Sequence, residues 1–386
     1  MDRQPPDDHH EPPTASTPDM VGTVVAGRYR LEERIGIGGM GVVYRATQID
    51  ADRIVALKIL HAQHAVNQRI VKRFLIEMRA TARIEHPNTV RLYDFGHTPE
   101  GHIFLAMEYL VGVTLSAEMR RLRGPMAPVR VAMLGSQVAR GLAAAHAEGI
   151  IHRDLKPPNI MICQKYGHRD MIKLLDFGIA RFSAPDDTGE PGHTAGTDDV
   201  ADRLTSPGMV VGTVHFMAPE QIEGRPMDHR VDLYALGCVL FYMATNQAPF
   251  HGSTNVAVMF AQVNTQPAVP SSINPDVPPW LDDAILRLLQ KDQAKRFQTA
   301  ADLVVALEEG AGIFSATTDL PPPPRAAAPT DVLLQERAYG PPGSSVGARP
   351  SSHAVDYRVF AIGIGVGAVI GALTAALTTL ALVGVL

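Results

Sequence analysis

The side chains best equipped for chemistry fall in two short blocks about twenty residues apart. These are His152-Arg153-Asp154-Leu155-Lys156-Pro157-Pro158-Asn159 and Asp176-Phe177-Gly178. Together they bring two carboxylates, an ammonium and a carboxamide into one stretch of chain. A third block lies upstream, Gly36-Ile37-Gly38-Gly39-Met40-Gly41-Val42-Val43. Glycine lets backbone N–H groups approach a phosphate closely, because it has no Cβ. The spacing alone is weak, since dinucleotide-binding folds also use it, at the start of a helix. Here the loop runs into Val42-Val43-Tyr44-Arg45-Ala46, which reads as a strand. The glycines are therefore expected to bend a β-hairpin over phosphates rather than to open a helix.

In this order and register the blocks resemble the protein kinases. His152 to Asn159 is similar to their catalytic loop, and Asp176-Phe177-Gly178 to their metal-binding turn. Further matches follow along the chain. Val55-Ala56-Leu57-Lys58 resembles the strand that carries the phosphate-binding lysine, and Ala218-Pro219-Glu220 the end of the activation segment. Asp232-Leu233-Tyr234-Ala235-Leu236-Gly237 resembles the start of the long buried helix of the large lobe. Lys295-Arg296-Phe297 holds the late arginine expected to form a buried ion pair with Glu220. The resemblance covers roughly residues 29 to 309. It implies an α+β, two-lobed protein kinase fold over residues 28–309. A small β-rich N-lobe would span about 28–110 and a large, mainly helical C-lobe about 111–309.

The resemblance also implies roles. Asp154 would orient a Ser or Thr hydroxyl and accept its proton, and Lys156 would stabilise the moving phosphoryl group. Asn159 and Asp176 would hold Mg²⁺. ATP would lie under the loop formed by Ile35, Gly36, Ile37, Gly38, Gly39, Met40, Gly41, Val42 and Val43. Lys58 would bind its phosphates, held in place by Glu77 on an apolar-patterned helical stretch. Glu85 competes for that position but sits just before His86-Pro87-Asn88, which ends the helix. Val43, Ala56 and Met161 would sandwich the adenine. Met107 would be the gatekeeper, and backbone groups of Glu108 and Leu110 would bond the base edge. Val111 precedes Gly112 where many relatives carry an acidic residue. Lys156 points to Ser/Thr acceptors. The phrasing around Gly38 to Tyr44 and Ala218 to Gln221 is similar to the bacterial, eukaryotic-like Ser/Thr kinases. The alternative is a pseudokinase scaffold without catalysis. Such proteins typically lose the lysine or one of the two aspartates, and Lys58, Asp154 and Asp176 are all present.

The 386 residues allow one two-lobed catalytic domain with flanks, and the net charge of −5 gives no reason to expect nucleic acid. Cys163 and Cys238 form no C-x-x-C and read as buried free thiols. Residues 1–27 are rich in Pro, Asp, Thr and His and are expected to be a disordered tail. Residues 310–358 read as a Pro/Ala-rich linker. Residues 359–386 carry no charge and are long enough to cross a bilayer as a helix. Arg349 and Arg358 before them place the kinase domain in the cytoplasm of a single-pass membrane protein. No sensor domain is expected beyond that segment. Gly363, Gly367 and Gly371 recur on one face and suggest a homodimer, against the reading that glycine is simply common in membrane helices. Between Asp176 and Glu220, Thr205 and Ser206 are the expected autophosphorylation sites.

Overall fold

In the computed structural model, residues 20–38, 41–60, 76–98, 101–165, 168–177 and 213–313 are described. All of them belong to one compact unit. Residues 1–19 and 314–358, the 359–386 segment, Gly363, Gly367, Gly371, Thr205, Ser206, Gly39, Met40 and Gly178 lie outside the described residues. Of the spans expected to be tail and linker, residues 20–27 and 310–313 are ordered: Val25 is buried in the small-lobe core, and Ala311 and Ile313 pack against the large-lobe core. Among the described residues no helix is long and apolar enough to cross a membrane.

The small lobe is a six-stranded antiparallel sheet. Its strands are β1 (Val24–Val25), β2 (Tyr29–Gly38), β3 (Gly41–Gln48), β4 (Arg53–Leu60), β5 (Leu92–His97) and β6 (Ile103–Glu108), in the order β1-β2-β3-β4-β6-β5. Register decides which side chains meet the nucleotide. Tyr44 pairs with Leu57, Leu57 with Ala106, and Ile59 with Phe104. With Val42, Ala46 and Val55 these fill a buried core on one face. Because strand side chains alternate, Val43, Ala56, Lys58 and Met107 must face the other side. Val43 sits opposite Lys58, and Ala56 opposite Met107.

The glycine hairpin is β2 and β3, paired from Tyr29↔Gln48 to Gly38↔Gly41. Gly41 is required by the sheet itself, since a Cβ there would lie 2.2 Å from Ile59 O. At Gly36 and Gly38 a Cβ would make only ordinary contacts, at 3.8 and 3.9 Å. These two glycines answer to something other than their neighbours.

The large lobe begins with a small sheet, β7 (Gly112–Thr114), β8 (Ile160–Lys165) and β9 (His168–Leu174). Helices α1 (Leu115–Leu122), α2 (Pro128–Ala147), α3 (Pro219–Ile222), α4 (Arg230–Thr245), α5 (Asn255–Asn264), α6 (Pro270–Ile273), α7 (Pro279–Leu288) and α8 (Ala300–Gly310) follow the motif order. Thr114 caps α1 by accepting from Ala117 N, Pro128 opens α2, and Thr299 with Asp302 forms a capping box on α8. Helix α4 is apolar on nearly every side and is buried along almost its whole length. A helix with that pattern belongs inside a core. It packs against α2 and α7, and α8 covers α2.

Backbone bonds and a buried ion pair join the lobes beside the 109–111 connection. Val90 N donates to Leu174 O at 2.9 Å and Leu174 N to Asn88 O at 2.8 Å. Lys173 on β9 pairs with Glu108 on β6 at 2.8 Å, and both are buried. A buried pair is no proof of net stability, but it fixes geometry, because losing either member strands a charge.

Candidate active site

Leu155 anchors the segment 152–159 in the large-lobe core, and the backbone of the two residues before Asp154 is held from below. Asp232, fully buried in the first turn of α4, accepts from His152 N and Arg153 N, both at 2.8 Å. His146 at the end of α2 bonds the same carboxylate through Nε2 at 2.8 Å. The His152 ring packs on Phe177, with centroids 4.7 Å apart, and its Nε2 meets Leu175 O at 2.9 Å. The turn at Arg153 has φ 65° and that at Asp176 φ 57°. Non-glycine residues adopt such angles only where surrounding contacts hold them.

Three polar groups converge above this base. Asn159 Nδ2 donates to Asp154 O at 2.7 Å and to Asp154 Oδ2 at 3.2 Å. Lys156 Nζ lies 3.0 Å from the same Oδ2. The Asp154 carboxylate is about one-fifth exposed, so an incoming hydroxyl can reach it. Across the cleft, Lys58 Nζ pairs with Asp176 Oδ1 at 2.8 Å, joining the two lobes. Glu77 stands half-buried on the helical residues 76–81. Its competitor Glu85 is exposed and pairs with Arg91 at 2.9 Å, away from Lys58.

One cleft is lined from both lobes. Ile35, Val43, Ala56 and Lys58 form its roof, Met107, Glu108 and Leu110 its back, and Met161 and Asp176 its floor. Val90, Tyr109 and Leu175 complete the lining. Val90 and Leu175 were missed in the sequence, since each lies outside a motif and only chain crossing brings it in, whereas Tyr109 lies inside the Met107 to Leu110 stretch expected to meet the base. Val42 has the opposite parity to Val43 and is buried in the sheet core, so only its backbone could serve the cleft. Glu108 N donates to Arg91 O at 2.8 Å, which leaves any base contact there to the carbonyl. Ile37 at the hairpin end is 70% exposed.

The donor set fits Mg²⁺. Asn159 spends its amide nitrogen on Asp154, which turns its oxygen to the other side. Asp176 offers a partly exposed carboxylate at the cleft floor. Mg²⁺ prefers a few hard oxygen ligands and completes its shell with water and phosphate. Among the described residues no cluster of three or more His, Cys, Asp or Glu forms a self-sufficient cage.

Beyond the cleft, Glu220 and Arg296 make the expected buried pair, at 2.6 and 2.8 Å. Gln221 is a further link. Its Oε1 accepts from Ala218 N at 2.9 Å and its Nε2 donates to Arg153 O at 3.1 Å. Cys163 and Cys238 are both free and buried. Burial pushes the Cys238 thiol up to about 12, which makes it unreactive.

A cleft between a glycine-hairpin sheet and a helical lobe, with a lysine and two aspartates at its mouth, defines a nucleotide-using phosphotransferase fold. The family model described as protein kinase domain matches residues 29–305. The chain belongs to the protein kinase family. It is similar to the serine/threonine-protein kinase pkn3 of Myxococcus xanthus, 40% identical over 73% of this chain and 50% of that protein. It is also similar to the serine/threonine-protein kinase PknB of Mycolicibacterium smegmatis, 37% identical over 74% and 44% respectively. Among solved structures, the Mycobacterium tuberculosis PknI kinase domain aligns with a TM-score of 0.57 and 27% identity. That alignment covers 75% of this chain and 98% of the other. The chain spans about half or less of the length of the curated relatives it matches.

Proposed function

We propose that the chain is a serine/threonine protein kinase that transfers the γ-phosphoryl group of ATP to protein hydroxyls. One observation carries this reading: Lys156 and Asn159 both lie within 3.2 Å of the Asp154 carboxylate, at the edge of the cleft that Lys58 and Asp176 close. Asp154 accepts the proton of the acceptor hydroxyl as the oxygen attacks the γ-phosphorus. The proton ends on the carboxylate, and ADP leaves. Lys156 places its positive charge beside the transferring group, and Lys58 neutralises the remaining phosphates. Asn159 and Asp176 would hold Mg²⁺, which would supply positive charge to offset that of the phosphates. Val43, Ala56 and Met161 grip the base. Little covalent help is needed from the protein, since positioning and charge neutralisation supply most of the rate.

The finer reading is a membrane-anchored signalling kinase with residues 359–386 as a single-pass segment and the kinase domain in the cytoplasm. Phosphorylation at Thr205 and Ser206 would activate it. Arg153 beside Asp154 supports that part, since a phosphate of about −1.5 to −2 charge can order a loop through a nearby arginine. Gly363, Gly367 and Gly371 would pair two copies.

The test is incubation of the purified chain with γ-labelled ATP, Mg²⁺ and a generic basic protein, followed by phosphoamino-acid analysis. Label on serine and threonine is expected. Label on tyrosine alone, or ATP binding without label, would favour the scaffold reading.

A further inference from the structure

The residues just before Ala218, near the end of the activation segment, are held by a buried polar chain that the reaction described above does not use. Val214 is fully buried and packs with Val258 and Met259 of α5. Gln262, at the far end of α5, is also fully buried. Its Nε2 donates to His215 O at 2.7 Å and to Val214 O at 3.4 Å. Its Oε1 accepts from Tyr234 OH at 2.5 Å. The opposite amide orientation would set an oxygen against two carbonyls, so those carbonyls select this one, and the tyrosine hydroxyl holds it by donating to Oε1. Lys291 Nζ donates to Gln262 O at 2.6 Å and lies 3.9 Å from the Phe250 ring centroid. Burial pulls the Lys291 ammonium down to about 8, which marks it as desolvated.

This chain of groups ends close to the catalytic loop. Residues 213–217 run into Ala218, and Gln221 ties Ala218 N to Arg153 O, one residue before Asp154. The 213–217 backbone is thereby tied to the loop that carries Asp154. The height of that backbone is set by Gln262 and, through it, by Tyr234 and Lys291.

We infer that Gln262, oriented by Tyr234 and Lys291, is a positioning residue for the acceptor protein and not for ATP. The inference rests on the proposed kinase reading. Loss of one oriented buried hydrogen bond is worth about 1.4 kcal/mol, roughly tenfold in affinity. Tyr234→Phe removes only the hydroxyl, and Gln262→Met removes the amide while keeping its length.

The experiment measures steady-state kinetics of the full chain with ATP and a generic basic protein, beside melting temperature and hydrogen exchange of the 214–217 amides. Tyr234→Phe and Gln262→Met should raise KM for the acceptor about tenfold and leave KM for ATP unchanged. Lys291→Met should behave likewise, and Lys291→Arg should restore most of the loss. Exchange at 214–217 should quicken in Tyr234→Phe. Unchanged acceptor KM in a folded Tyr234→Phe chain, or an equal rise in both KM values, overturns the inference. A wild-type chain that labels no acceptor overturns the proposed function instead. Hydrogen exchange then still decides whether Gln262 and Tyr234 hold the loop, and unchanged exchange refutes that.

Discussion

Asp154 owes its position to a residue far away in the sequence. Asp232 accepts from both His152 and Arg153 backbone nitrogens and is held in turn by His146. Asp232→Asn keeps the shape but turns an NH2 toward one of those donors. An unpaired buried donor costs about 1–3 kcal/mol. The chain should remain folded with a lowered melting temperature. Its kcat should fall by about tenfold or more, because small misplacements of a reacting group are costly. Unchanged kcat in a folded Asp232→Asn chain would show that the anchor does not position Asp154. The motif residues themselves were legible in the sequence, as was the Glu220–Arg296 pair. The anchors were not. Asp232 was legible only as the start of a buried helix, and nothing in the sequence ties it to residues some eighty positions earlier.

At the level of elements, the hairpin, the apolar helix α4 and the lysine strand β4 all follow from local pattern. Strand register is what the sequence lacked. It places Val42 in the core and Val43 in the cleft, while the backbone bond from Val90 N to Leu174 O brings Val90 and Leu175 to the lining. It also shows that Gly41 serves strand packing against Ile59. A second hidden feature is an ionic knot joining α1, α2 and β9. Glu118 bonds Arg121 at 2.8 Å and Arg130 at 2.7 Å, and Arg130 bonds Asp170 at 2.8 Å. The Arg121 hydrogen bond, and then that of Arg130, hold the Glu118 carboxyl at about 2. Its folded value lies below the unfolded one near 4.5. The stability it contributes is therefore complete above about pH 4.5 and is lost as pH falls toward 2. Glu118→Gln should flatten the acid side of a melting-temperature profile between those values. An unchanged acid slope would remove Glu118 from the account.

On the scale of the whole molecule, two lobes meet through Lys58–Asp176, Lys173–Glu108 and the backbone bonds of Leu174. The two-lobed organisation was legible because the motifs of each lobe come in fixed order. The flanks are legible only as composition. Residues 359–386 are expected to anchor the chain, since about 20 apolar residues suffice to cross a bilayer. The full chain should sediment with membranes and resist extraction by salt or carbonate, whereas a chain ending at residue 358 should not. A full chain released by carbonate would leave that segment without a membrane role.

The central claim is that Asp154 accepts the acceptor proton in a cleft that already binds ATP. Single-turnover phosphoryl transfer by Asp154→Asn, measured beside ATP affinity, tests it most directly. Asparagine keeps the contact with Asn159 but cannot take a proton. Transfer should slow by a factor of about 10² or more with ATP affinity unchanged. Near-normal transfer by the folded variant would contradict the claim.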